Sequence, residues 1–144
     1  MGTADGMAGA SEWQVETATV REFLDFVGKA QVGIDAVPLH YPELPPGTKI
    51  RIWPKPDAGE WHVFKMWHGP GGSECIKSRP VTPRKPFVAD HMLVELIEGD
   101  YMVCFSTEAE DGEANADENW EIKIRADHLN QFEIAGADTV VRWR

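Results

Sequence analysis

Trp53, Trp61 and Trp67 crowd into one short stretch, WPKPDAGEWHVFKMWHG, with His62, Lys65 and His68 threaded between them. Residues of these types offer two kinds of chemistry. Flat indole faces stack on the apolar faces of sugar rings and on cations, while neighbouring imidazoles and charged groups bond to hydroxyls. A histidine beside a carboxylate can also move a proton as general acid or base. In a strand, successive side chains point to opposite faces, so Trp61, Val63, Lys65 and Trp67 share one face and His62, Phe64, Met66 and His68 the other. If Ile50, Ile52, Phe64 and Met66 point into the core, parity turns Trp53, Trp61 and Trp67 outward, with Arg51 and Lys65 beside them. The opposite parity puts Trp61 and Trp67 into the core with Val63 and leaves His62 and His68 outside, a use of Trp as a large apolar residue. The expected ligand-binding set is Trp53, Trp61, Trp67, His62, His68, Lys65 and Arg51.

Other chemistries find less support. Asp111, Glu113, Asn115 and Asp117 alternate as oxygen ligands do in a calcium loop. The sixth position is Ala116 instead of Gly and the twelfth is Ile122 instead of a bidentate Glu, so a solvated hairpin loop without metal is expected. His40, His91 and His128 stand in or near loops, and no HxH, HExxH or CxxC occurs. Gly69-Pro-Gly-Gly-Ser73 lacks the ending of a phosphate loop, and there is no G-x-S-x-G. No catalytic residue and no cofactor is therefore assigned.

The elements that must position the tryptophans are short strands. Lys49–Trp53 and Glu60–His68 alternate on either side of Pro54, Pro56, Asp57 and Gly59, which reads as a hairpin with a loop of several residues. Gly69–Pro86 reads as a long loop with at most a short strand near Ile76. Met92–Ile97 and Tyr101–Ser106 flank Glu98-Gly99-Asp100, a tight hairpin signal. Asn119–Arg125 alternates strictly, and Phe132–Ile134 and Thr139–Trp143 close the chain. Upstream, Thr19 and Glu22 have capping-box spacing before the apolar stripe Val20, Phe23, Leu24 and Val27, with Gly28 as the stop. Val32–Val37 is a candidate strand and Tyr41–Gly47 a loop. The pattern predicts a mainly β fold: an antiparallel sandwich, or closed barrel, of seven to eight strands with one N-terminal helix. Residues 1–12 read as a flexible lead and 13–144 as one domain. The expected core is Ile50, Ile52, Phe64, Leu93, Val103, Phe105, Trp120, Ile122 and Ile124.

The order of segments from 48 to 125 resembles the starch-binding carbohydrate-binding modules of the β-sandwich type. The parallels are Trp67-His68-Gly69, the prolines from Pro70 to Pro86, the apolar strand Tyr101–Phe105, and Asp117-Glu-Asn-Trp120 leading into Ile122 and Ile124. The chain departs from the family in three places. The histidine follows the tryptophan, no Trp follows Gly69 in the loop, and GEANADEN replaces an Asn-rich run. Of the sugar-stacking pair that the resemblance implies, only Trp61, His62 and Trp67 fall near the matching positions.

Composition bounds the partners. At 42% apolar and 26% charged, the chain has the makeup of a globular protein. A net charge of −10 argues against nucleic acid and against anionic membrane surfaces. The charges are clustered: Glu108, Glu110, Asp111, Glu113, Asp117 and Glu118 on one side, Lys77, Arg79, Arg84 and Lys85 on the other. The N-terminus lacks the basic and apolar regions of a signal peptide, which favours the cytoplasm. Cys75 and Cys104 define no disulfide framework, and reduced thiols are expected. These readings converge on a non-catalytic module that binds a polysaccharide or other neutral ligand. The alternatives are a protein-interaction or homo-oligomeric domain, and a small barrel enzyme using His62 or His68 with a carboxylate.

Overall fold

The computed structural model describes residues 16–28, 44–108, 110–112, 117–136 and 140–143. The expected lead at 1–12, the candidate strand Val32–Val37, the first part of the Tyr41–Gly47 loop, His40, Glu113 and Asn115 lie outside the described residues.

Strand β1 (Glu16–Thr19) runs directly into α1 (Val20–Gly28). The reciprocal capping box forms at their junction. Thr19 N–H donates to Glu22 Oε1 at 2.9 Å and Glu22 N–H donates to Thr19 Oγ1 at 3.1 Å. Val20, Phe23, Leu24 and Val27 then fall on one face and are buried. Arg21 reaches across to donate to the Ile134 carbonyl at 3.2 Å, which ties the helix to the C-terminal strands.

The remaining strands are β2 (Ile50–Pro54), β3 (Trp61–Gly69), β4 (Gly72–Val81), β5 (Phe87–Ala89), β6 (His91–Ile97), β7 (Asp100–Thr107), β8 (Glu118–Arg125), β9 (Phe132–Ala135) and β10 (Val140–Trp143). A 3-10 helix, Ala126–Gln131, sits between β8 and β9 and was not foreseen from the sequence. Eight of these strands make two antiparallel sheets, a five-stranded one in the order β4-β3-β8-β7-β6 and a three-stranded one in the order β9-β2-β5. β1 and β10 pair separately. The sheets do not close into a barrel, so the sandwich expectation stands and its barrel alternative does not. The buried residues of both sheets, of α1 and of the 3-10 helix form one hydrophobic cluster.

Three expectations need correction. First, β2 and β3 are not a hairpin. β2 pairs with β9 and β5, while β3 pairs with β4 and β8. The Pro-rich connection carries the chain from one sheet to the other, which a loop of that composition does as readily as it turns a hairpin. Second, most of the expected loop Gly69–Pro86 is β4, joined to β3 by the two-residue turn Pro70-Gly71. β4 is an edge strand, exposed along nearly its whole length, so it has no buried face to write an alternation into its sequence. Pro80 is tolerated because edge strands leave one row of backbone groups unpaired. Third, β3 faces the other way. Val63 is fully buried, whereas Phe64 is 41% exposed and Met66 half-buried. A one-residue error of parity moves every side chain to the opposite face. Leu93 shifts in the same manner: it is half-buried, and its neighbours Met92 and Val94 take the core positions. Ile50, Ile52, Val103, Phe105, Trp120, Ile122 and Ile124 are buried as expected.

The hairpin at Glu98-Gly99 has the geometry its sequence asks for. Ile97 pairs with Asp100, and both loop residues take positive φ, 51° at Glu98 and 87° at Gly99. That is the type I′ combination, whose twist matches that of the flanking strands.

Candidate functional site

The seven expected binding residues divide among three surfaces. Arg51 and Trp53 are on β2, in the three-stranded sheet, opposite Ala135 and Glu133 of β9. Arg51 is exposed and Trp53 is half-buried against the margin of the core. Trp61, Lys65 and Trp67 are on the core side of β3, with Val63. His62 and His68 are on its outer side, with Phe64 and Met66. The three indoles therefore do not make one outward row on adjacent strands.

Each tryptophan of β3 has a local reason for its place. Trp61 packs edge-on against Phe132, with centroids 4.7 Å apart and planes at 70°, and its Nε1–H donates to the Ala58 carbonyl at 3.2 Å. Trp67 folds back along the strand end. A Cβ added at Gly69 would lie 2.1 Å from its Cη2, so the indole occupies the space that glycine leaves open.

Lys65 is the surprise of the inner face. Its side chain is only 9% exposed, and its ammonium donates to Asp111 Oδ2 at 2.8 Å and lies 3.4 Å from Glu118 Oε1. The Asp111 hydrogen bond chiefly, opposed by desolvation, raises its pKa. Lys77, across from Lys65 on β4, is 3.6 Å from the same Asp111 and 5.7 Å above the Trp120 ring. Arg79 is bound in the same way. Its Nε donates to Glu110 Oε2 at 2.7 Å, its Nη2 also pairs with that carboxylate, and its guanidinium caps the carbonyls of Pro80, Lys85 and Pro86 at 2.9, 3.0 and 3.2 Å. The loop between β7 and β8 is thus not simply a solvated turn. Glu110 and Asp111 latch it onto the basic residues of β3 and β4. The two charge clusters visible in the sequence meet here. Of the four calcium-loop positions, Asp111 is engaged by these lysines, and no group of three or more His, Cys, Asp or Glu among the described residues could hold a metal ion.

The outer face of the five-stranded sheet carries no covering layer among the described residues. Register puts His62, Phe64, Met66 and His68 of β3 beside Asn119, Glu121 and Lys123 of β8, then Met102, Cys104 and Ser106 of β7, then His91, Leu93 and Glu95 of β6. Two hollows lie on it. One, of about 500 Å³, is lined by Glu60, His62, Phe64, Met66, Glu121 and Lys123. The other, of about 550 Å³, opens at the loop end between His68, His91, Leu93, Ser106, Glu108 and Asn119. His68 of the second hollow and Glu121 of the first are in contact between them. His68 Nε2 is 3.3 Å from Glu121 Oε2 and 3.1 Å from Asn119 Oδ1, and His68 Nδ1 is 2.8 Å from Ser73 Oγ. A neutral ring with its proton on Nε2 satisfies all of these: Nε2–H donates to the carboxylate or amide oxygen, and Nδ1 accepts from the Ser73 hydroxyl. His62 lies 3.3 Å from Glu60 at the other end. Glu121 itself is 9% exposed, a carboxylate set into the middle of a sheet face.

Cys104 shares that face and is buried, beneath the 3.5 Å pair of Lys123 and Glu95 that spans it. Desolvation, then the Glu121 charge, pushes its thiol from 9.0 to about 12. Both cysteines are free, Cys75 exposed and Cys104 not. Phe64, Met66, Asn119, Glu121 and Lys123 are residues of this surface that the sequence did not mark as site candidates. Phe64 was assigned to the core, and Glu121 was one acid among 24.

No helix among the described residues is long and apolar enough to cross a membrane. No protein-family model, no curated protein and no solved structure matches the chain.

Proposed function

We propose that this protein is a non-catalytic binding module that holds an extended, neutral, polyhydroxylated ligand of the oligosaccharide class along the outer face of its five-stranded sheet. The observation that carries this reading is the presence of two hollows on one sheet face, one bordered by His68 and the other by Glu121, whose side chains touch at 3.3 Å. In this reading the ligand lies across both hollows, as a track from Glu60 to His91, with successive sugar rings in each. Its lining suits such a ligand. Phe64 offers a flat exposed ring, and Met66 a polarisable thioether. Glu121 accepts from hydroxyls, Lys123 donates to them, and His62 and Asn119 do both, while His68, already bonded to Ser73 and Glu121, holds the carboxylate in place. A carboxylate already 9% exposed has lost most of its water, so a bond to it competes less with solvent than one made on an open surface. The track replaces the tryptophan row as the binding surface, and Trp61 acts beneath it by packing β3 against Phe132 and the core.

One contact favours a hydrolytic reading. Ser73, His68 and Glu121 form the chain hydroxyl, imidazole, carboxylate. In the binding reading the same bonds hold the β3–β4 hairpin against β8. Calorimetry against a panel of glucans and other polysaccharides tests the proposal. Stacking on Phe64 is worth about 0.5–1.5 kcal/mol, so Phe64→Ala should weaken binding about two- to tenfold, and Glu121→Gln should weaken it as well. Failure of the wild type to bind any member, or indifference of binding to both variants, sinks the reading. Cleavage of an activated aryl ester that Ser73→Ala abolishes establishes the hydrolase instead.

A further inference from the structure

The two edges of the five-stranded sheet are built differently. β4, at one edge, carries Lys77, Arg79 and Pro80, and its register with β3 shifts between Lys65 and Met66. Edge charges, an edge proline and a bulge are devices that stop one sheet from pairing with another. β6, at the opposite edge, is HMLVELI. It has no proline, glycine, lysine or arginine, and its ladder to β7 runs without a shift from His91 to Ile97. Its single acid, Glu95, is already held by Lys123 at 3.5 Å. Beyond β6 the described residues place no further strand in the sheet. A straight, apolar, unblunted edge of about 24 Å, at 3.4 Å per residue, is a template for another strand.

We propose that a second copy of this chain pairs with β6 antiparallel about a two-fold axis at Leu93, joining the two five-stranded sheets into one of ten strands. The side chains select both occupant and register. Antiparallel pairing of β6 with itself is isologous, so each residue must tolerate its mate. With the axis at Leu93, His91 stands opposite Glu95 of the second copy, an opposite-charge pair when the imidazole is protonated and a hydrogen-bonding pair when it is not. Met92 meets Val94 of the second copy on the core side, and Leu93 meets its own counterpart on the outer side. Moving the axis to Val94 would set Glu95 against Leu93 and His91 against Ile97, polar groups against apolar ones, with only the partners each has within its own chain, Lys123 at 3.5 Å and Asp90 at 2.7 Å. The paired edge also covers Leu93, which the single chain leaves half-exposed. The interface shares His91 and Leu93 with the margin of the loop-end hollow, but it rests on the strand edge and not on what that hollow binds.

Light scattering behind size-exclusion chromatography, from micromolar to millimolar chain, reads the state directly, and a dimer is expected. Register is read by crosslinking in a Cys75→Ser, Cys104→Ala background, because Cys104 stands directly opposite Leu93 on β7 of the same chain and would otherwise compete for the new thiol. Directly opposed side chains have Cβ atoms about 4.5–5.5 Å apart, within easy adjustment of a disulfide. Leu93→Cys should therefore crosslink to its mate on mild oxidation, whereas Ile97→Cys, at the strand's far end, should not. Both substitutions are mild enough to follow by circular dichroism in parallel. A monomer throughout the concentration range overturns the proposal. So does a dimer that crosslinks at Ile97, at both positions or at neither.

Discussion

The orientation of β3 can be decided by exchanging the roles of two adjacent residues. Val63 is fully buried between the sheets and Phe64 is 41% exposed on the outer face. Val63→Ala removes two buried carbons, about 1.6 kcal/mol of transfer free energy at roughly 0.8 kcal/mol each, and the partly relaxed cavity adds to it. The expected cost is about 2–3 kcal/mol, or roughly 5–10 °C in Tm for a domain of this size. Phe64→Ala removes a far larger side chain, yet from a surface over which the described residues place no covering layer, and should cost less than about 1 kcal/mol. Urea denaturation followed by tryptophan fluorescence and by far-ultraviolet circular dichroism gives both numbers, and coincident transitions license the two-state treatment. The slope with denaturant should be unchanged in both variants. The larger substitution is thus expected to be the cheaper one. If Phe64→Ala costs more than Val63→Ala, β3 is inverted, the outer track does not exist, and the tryptophan row returns as the better candidate surface.

Two further outcomes follow from the ion pairs and thiols. Arg79→Ala strips the Glu110 carboxylate, which is only 17% exposed, of its guanidinium and leaves three carbonyls uncapped. A loss of about 2–4 kcal/mol in denaturant unfolding is expected, and a loss below about 0.5 kcal/mol would show that the loop is not latched there. An aromatic disulfide reagent at pH 8 should modify Cys75 at once and Cys104 only after denaturation. Because the folded Cys104 thiol is raised from 9.0 to about 12, the native chain keeps a proton that the unfolded chain releases. That contribution to stability is complete below pH 9.0 and is lost as pH climbs towards 12, so Cys104→Ala should flatten the alkaline part of the stability profile.

Local signals in this sequence proved readable, and long-range ones did not. Thr19 and Glu22 wrote the start of α1, and Glu98-Gly99 wrote the β6–β7 hairpin, because each motif satisfies its own backbone within a few residues. The partners of β2 were illegible, because Ile50 and Ile52 bury themselves equally well whichever strand lies alongside. β4 was illegible because an exposed edge strand has no burial pattern to display. β3 was ambiguous for a different reason: both of its faces carry large apolar residues, and the inner one also carries a lysine, which counts against burial in any reading by composition.

That lysine is where the missing information lay. An ammonium on a core face must be met by carboxylates, since leaving it unpaired costs several kcal/mol or forces it neutral. The chain concentrates its acids at 108–118, and the loop they form joins β7 to β8, the latter being the direct neighbour of β3. Once Val63 and Lys65 are taken as the inward pair, Asp111 and Glu118 have to fold inward over the sheet end to reach Lys65, and the loop's position follows. The same choice turns Lys77 and Arg79 of β4 towards that loop, through their pairing with Lys65 and Val63, and supplies the second cluster of charge with its partners. It also turns Phe64, His62 and His68 outward onto a surface whose centre is Glu121. One choice of parity on β3 therefore fixes the latch, the placement of Trp61 and Trp67, and the track along the outer face.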